Sequence, residues 1–122
     1  MAKRVRTAAK VTSELADKIE KGRSLLKEVT YSWIIKEDDD DVVCGCAIGM
    51  AYAGHVGDVA TAYRLYNNRR IVMGDIFIQK NLYIPSELFW AVSDAHCGGT
   101  KAAILVKRLR KGKFDKFVYP EM

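Results

Sequence analysis

The sequence predicts a mainly α-helical fold, a single compact bundle of four or five helices around a buried central helix, with minor strands allowed near residues 31–35 and 71–78. Three observations carry that expectation. Val42 to Gly54 is an uncharged, mostly apolar run in a chain of which 29% of residues are charged, too short to span a bilayer and suited to burial. Four other stretches space apolar residues three and four apart with charges between them, the pattern of helices that turn one face inward. At 122 residues the chain can bury a real core without disulfides or a structural metal.

Residues 1–11 lack a periodic apolar face and are expected to form a mobile basic arm ahead of one globular domain over 12–122. Thr12 or Ser13 can cap a first helix whose Leu15, Ile19, Leu26 and Val29 point inward, with Glu14, Asp17 and Glu20 early, where the macrodipole favours acids. Glu14 with Lys18 and Asp17 with Lys21 are i,i+4 pairs of the favourable polarity. Tyr31 to Ile35 has the aromatic and β-branched content of a short extended segment, though five residues leave its type open. Asp38 to Asp41 lack the alternating ligands, central glycine and distal glutamate of a calcium loop; they read as a solvated loop whose last members can cap the apolar helix that follows. Within that helix Gly45, Gly49 and Ala53 fall four apart and offer a smooth ridge for close packing.

Asp58 can cap a helix through Tyr66, with Val59, Ala62 and Tyr63 inward. Residues 71–84 give no clean period: Ile71 to Met73 and Ile76 to Ile78 favour strand and Gly74-Asp75 interrupts them, so a loop with some extended pairing is expected. Pro85 suits the first turn of the next helix, whose stripe is Leu88, Ala91, Val92 and Ala95 and which should stop near Gly98-Gly99. Thr100 can cap a last helix with Ala102, Leu105, Val106 and Leu109 inward, and the tail from Phe114 is expected to lie extended across the body.

The net charge of +5 is unevenly spread. Residues 1–10 carry four Lys/Arg and no acid, and residues 101–122 carry seven against two acids, whereas the stretch between has nine against 13. Basic ends attract phosphate on nucleic acid or a membrane surface, and they also keep a small protein soluble. Neither end interleaves aromatics with cations as a single-strand binder does. There is no apolar signal region and no run long enough to span a membrane, so a cytoplasmic location is expected. Three cysteines in no repeated spacing argue for reduced thiols.

Cys44, Cys46, His96 and Cys97 are the residue types of a closed zinc site. If helical, however, Cys44 and Cys46 point about 160° apart and His96 and Cys97 about 100° apart, and the Cys-x-x-Cys spacing is absent; small buried thiols are the better reading. Cys97, beside His96 and ahead of Gly98-Gly99-Thr100, is the one credible catalytic thiol, with Asp94 to orient the histidine. The amides of Gly98, Gly99 and Thr100, with Lys107, Arg108, Arg110 and Lys111 further along the last helix, form the candidate anion-binding set. A sharp turn between two helices uses the same Gly-Gly-Thr string, and turn capping explains Asp94 without chemistry. His55, between Gly54 and Gly57, reads as an exposed loop histidine, and Gly45 and Gly49 precede no Lys-Ser/Thr pair, so there is no P-loop. No cofactor is expected.

Cys46-Ala47-Ile48-Gly49-Met50-Ala51, with Ser93-Asp94 and then Gly99-Thr100, resembles a group of small bacterial and phage helical proteins catalogued as domains of unknown function. Their pattern is a Cys-Ala-Ile-Gly-Ala-like helix, an Asn-Asp…Gly-Arg-Thr-like turn and a last helix. Ser93 stands where that pattern prefers asparagine and Gly99 where it prefers arginine. The likeness runs from about Leu15 to Leu109 and implies a compact helical fold with no assigned activity. The functional expectation is a non-catalytic binding or regulatory accessory module whose partner is a protein or an anionic polymer such as nucleic acid, engaged by the basic ends. A small thiol- or metal-dependent enzyme centred on Cys97 and His96 is the competing expectation.

Overall fold

The computed structural model describes residues 7–30, 32–36, 42–68 and 70–118, with the side chains of 70–73 left aside. Among these residues the chain forms six α-helices and a three-stranded sheet, which agrees with a mainly α fold carrying minor strands. None of the helices is long and apolar enough to cross a membrane. The segment Asp38 to Asp41, for which a solvated loop was expected, lies outside the described residues.

Helix α1 spans Ala8–Arg23 and starts earlier than the hydroxyls at 12 and 13 suggest: Thr7 is its cap and accepts from the Lys10 amide at 3.1 Å. Its first turn therefore takes in residues 8–11 of the expected arm. Thr12 is instead buried and donates to Asp115 Oδ1 at 2.8 Å, joining the two ends of the described chain. Val11, Leu15, Ala16, Ile19 and Gly22 form the inward face. Asp17 holds Arg110 at 2.8 Å, an exposed pair of little energetic weight.

The helix ends at Arg23 rather than continuing to Val29. Leu26 still points into the core, but Lys27–Glu28 form strand β1, which pairs in parallel with β3 (Val43–Gly45). Strand β2 (Ile34–Lys36) takes up only the end of the extended segment expected near 31–35, Trp33 being a bend, and pairs with the other side of β3 in antiparallel register, Ile34 opposite Gly45 and Lys36 opposite Val43. The apolar run 42–54 is thus not one rod. Its first residues are the central strand of the sheet, Cys46 is the turn, and helix α2 begins only at Ala47 and runs to Val56. A central strand and a buried helix both read as unbroken apolar sequence, so periodicity could not separate them. The N-cap position of α2 is Cys46, and the aspartates expected to cap it lie outside the described residues.

Residues 47–54 of α2 are buried all round. The helix lies so close to α1 that a Cβ on Gly22 would fall inside the Met50 carbonyl, and one on Gly54 inside the Lys18 carbonyl. Gly49 serves a different neighbour, the backbone carbonyl of Trp33. The expected helical ridge of Gly45, Gly49 and Ala53 is therefore not formed: Gly45 lies on β3 and, like Gly49, faces the Trp33 segment, and the α1 crossing uses Gly54 instead.

Helix α3 (Val59–Asn67) is capped as expected by Asp58, which accepts from Thr61 N at 2.9 Å. His55 lies in the last turn of α2 rather than in a loop; partial burial, then the neighbouring Lys18 charge, lower its pKa. Residues 71–84 correct the expected loop. Arg70–Leu82 is helix α4, and buried Gly74, Ile78 and Leu82 recur every four residues. Burial of that stripe overrides the strand preference of its β-branched residues. Helix α5 (Ser86–Cys97) follows Pro85 and ends at Gly98, and helix α6 (Ala102–Arg110) buries the four residues expected. Thr100 is not its cap, because the N-cap position is Lys101 and no side chain there accepts a capping bond. After Gly112, whose φ of 80° suits a residue without Cβ, the chain forms a 3-10 turn (Asp115–Phe117) rather than an extended tail, with Phe114 and Val118 buried against the core.

Candidate functional site

Helix α5 presents two faces at once. Phe89, Val92 and His96 recur at i, i+3 and i+7 and are all buried, whereas Trp90, Asp94 and Cys97, at i, i+4 and i+7, face a cleft. The imidazole of His96 is 1% exposed and both of its nitrogens are engaged. Nδ1 accepts a long bond of 3.4 Å from the Ala47 amide at the start of α2, and Nε2 lies 2.7 Å from Glu28 Oε2 on β1. Because the Ala47 amide donates, Nδ1 carries no proton and Nε2–H is the donor to the carboxylate.

The same Glu28 oxygen accepts from the Ala102 amide at 2.9 Å, so this carboxylate is the missing cap of α6. One residue of β1 thus ties together the start of α6, the end of α5 and, through the imidazole, the start of α2. Burial alone would raise the Glu28 carboxyl above its usual value of 4.5, but the hydrogen bonds from the Ala102 amide and from His96, with the charge of Lys101, together hold it lower. A carboxyl lowered on folding stabilises the folded state above its unfolded pKa and loses that contribution as the pH falls through the folded one. Stability should therefore decline as the pH drops below about 4.5, and Glu28→Gln should flatten that decline in acid denaturation followed by circular dichroism. An unchanged acid profile would show that the carboxylate does not hold these helices.

Cys46 and Cys97 both reach the cleft, but in different states. Burial pushes the Cys46 thiol up from 9.0 to about 11, and the Gly49 and Ile48 amides at the start of α2 offset only part of that rise. Cys97 is exposed and its Sγ donates to the Thr30 carbonyl at 3.4 Å, not to His96. Cys44 is wholly buried on β3. Among the described residues, no group of three or more His, Cys, Asp or Glu is placed to hold a metal. The candidate zinc set is thus divided: Cys46 and Cys97 share a cleft that Cys44 and His96 do not line. With an alkylating reagent at pH 8, Cys97 should label first and Cys46 should react roughly 100-fold more slowly than an ordinary thiol; rapid labelling of Cys46 would contradict its burial.

The cleft has a volume of about 500 Å³ and is walled by Trp33, Trp90 and Tyr66, with Asp94 and the two thiols at its margin. Trp33 lies 6.0 Å from Trp90, and each also packs against Phe89, at 5.4 and 4.9 Å. Trp90 is 42% exposed. Through Ser32 and Tyr66 the cleft adjoins a second hollow of about 230 Å³ that lies between β2 and the Tyr63 to Asn67 stretch of α3.

The turn expected to hold an anion uses its amides on α5 itself. Gly98 N donates to Asp94 O at 2.8 Å, Gly99 N to His96 O at 3.1 Å and Thr100 N to Ala95 O at 3.0 Å. Lys107, Arg108 and Lys111 stand exposed on the outer side of α6, and Arg110 is paired with Asp17. The group that orients His96 is Glu28 and not Asp94. Glu28 gave no signal in the sequence, since its partners lie 68 and 74 residues away. The chain matches no family model, and no curated protein or solved structure matches it either.

Proposed function

We propose that the chain is a non-catalytic binding module, a cytoplasmic accessory protein whose ligand occupies the cleft beside α5 and the hollow that continues from it along β2. The observation that carries this reading is the double engagement of His96: its imidazole is 1% exposed, with one nitrogen on the Ala47 amide and the other on Glu28. A proton carrier needs a ring nitrogen within reach of substrate, and an active thiol needs a neighbouring base, whereas the Cys97 Sγ bonds to the Thr30 carbonyl and not to His96. The cleft, by contrast, sets two indoles among the hydroxyls of Thr30, Ser32, Tyr66 and Ser93 and the carboxylate of Asp94, an apolar wall beside polar groups that can orient a ligand. The likeness to small bacterial and phage helical proteins belongs to the same proposal and adds no activity to it.

A fragment library screened by NMR on the isotope-labelled protein tests the reading. Hits should shift the Trp33 and Trp90 indole N–H signals saturably, and the double variant Cys46→Ser, Cys97→Ser should bind them equally well. Loss of binding in that double variant would favour thiol chemistry. Hits confined to the α6 face, or nucleic-acid binding there that weakens steeply with salt, would move the binding surface to Lys107, Arg108 and Lys111.

A further inference from the structure

Among the described residues that wall the cleft, the one ionised side chain is Asp94, and it stands one helical turn from Trp90 on α5. A carboxylate beside two indoles and a phenol suits a cation: the ring faces attract positive charge and the acid neutralises it, while a phosphate would be repelled. The second hollow adds a direction. It is lined along the whole of β2 and by Tyr63, Tyr66 and Asn67 of α3. The sheet order β1-β3-β2 leaves the outer edge of β2 without a strand partner among the described residues. An edge strand facing a helix across a groove is a template for an added extended chain, with main-chain bonds for affinity and a pocket for one side chain.

Resting on the groove reading above, we propose that the occupant is an extended peptide segment of a partner protein. It lies along the free edge of β2 and places one lysine or arginine side chain in the Trp33, Trp90 and Asp94 cleft. The basic residue belongs at the Ser32 end, because the opposite end of β2 carries Lys36, whose ammonium already sits over the Tyr63 ring at 4.9 Å. The strand edge itself, Ile34 to Lys36, covers about 10 Å, room for roughly three peptide residues before the chain turns at Ser32 into the cleft. A free organic cation would fill the cleft alone and leave the second hollow unused.

A heptapeptide array with one position fixed in turn as each amino acid and the rest degenerate provides the probe. Arginine and lysine should be enriched at one position, and the selected peptide should shift signals of Ser32 to Lys36, Tyr63 to Asn67 and Trp90 to Cys97. Replacing its basic residue by glutamate, or methylating alternate backbone nitrogens, should each weaken binding at least tenfold. Asp94→Asn should weaken it to a similar degree in a protein whose circular dichroism is unchanged, and Asp94→Lys should restore binding of the glutamate peptide. Enrichment without basic residues would overturn the cation site while leaving the groove reading intact; no enrichment and no fragment hits would overturn both. Ethylguanidinium binding as tightly as the selected peptide, or self-association of the chain through β2 at the same concentrations, would overturn the peptide as occupant.

Discussion

Gly22→Ala is expected to lower stability by roughly 4 kcal/mol or more, a loss at the extreme of what single substitutions do. Helix propensity alone points the other way, since alanine in a helix interior is favoured over glycine by about 1 kcal/mol. The steric effect wins because the obstacle is backbone: the new Cβ would fall inside the Met50 carbonyl of α2, which cannot rotate aside as a side chain can. Relief requires α1 and α2 to separate, and with them the packing of Leu15 and Ile19 against residues 47–54. Gly99→Ala is the control. Gly99 has a φ of 111° and no atom within 4 Å of its missing Cβ, so its substitution meets only backbone strain of about 1–2 kcal/mol. Thermal unfolding followed by circular dichroism distinguishes the two; a Gly22→Ala transition no lower than that of Gly99→Ala would mean the helices do not cross so closely.

His96→Phe should cost about 2–3 kcal/mol although it keeps the ring and its burial. The substitution leaves the Ala47 amide with no acceptor and Glu28 without its imidazole donor. Most of the loss comes from the buried amide, since the Glu28 side chain is 33% exposed and water can reach it. His96→Ala adds an empty volume between α5 and the sheet and should cost about 1 kcal/mol more. Ligand binding in the cleft should survive His96→Phe below its melting temperature, because the imidazole does not line the cleft. Full thermal stability in His96→Phe, with binding lost, would reverse the roles given to this residue.

The parts of the fold that local chemistry determines were legible. Asp58 caps α3, Gly98 and Gly99 end α5, and Ala102, Leu105, Val106 and Leu109 turn inward on α6, each for a reason confined to a few neighbouring residues. Elements whose type depends on distant partners were not. Val43 to Gly45 is a strand because β1 and β2 flank it, and nothing within the apolar run 42–54 announces those neighbours. In α4 the strand-like residues Ile76 to Ile78 mask a four-residue repeat of buried positions that only the rest of the core makes favourable. The site followed the same rule. His96, Cys97 and Asp94 stood out by residue type, but the acid that holds the histidine comes from Glu28, which the sequence placed on the first helix. The cleft itself depends on Trp33 and Trp90 meeting across 57 residues, a contact no local pattern encodes.

The ring protons of His96 offer the most direct test that this histidine is structural and that the neighbouring cleft binds rather than reacts. In nitrogen-detected NMR of the labelled protein near pH 7, Nδ1 should be unprotonated, and Nε2 should carry one proton that exchanges slowly with water, as expected for a buried donor held 2.7 Å from Glu28. A ring proton on Nδ1, or one on Nε2 that exchanges freely with solvent, would contradict this and restore His96 as a candidate for proton transfer.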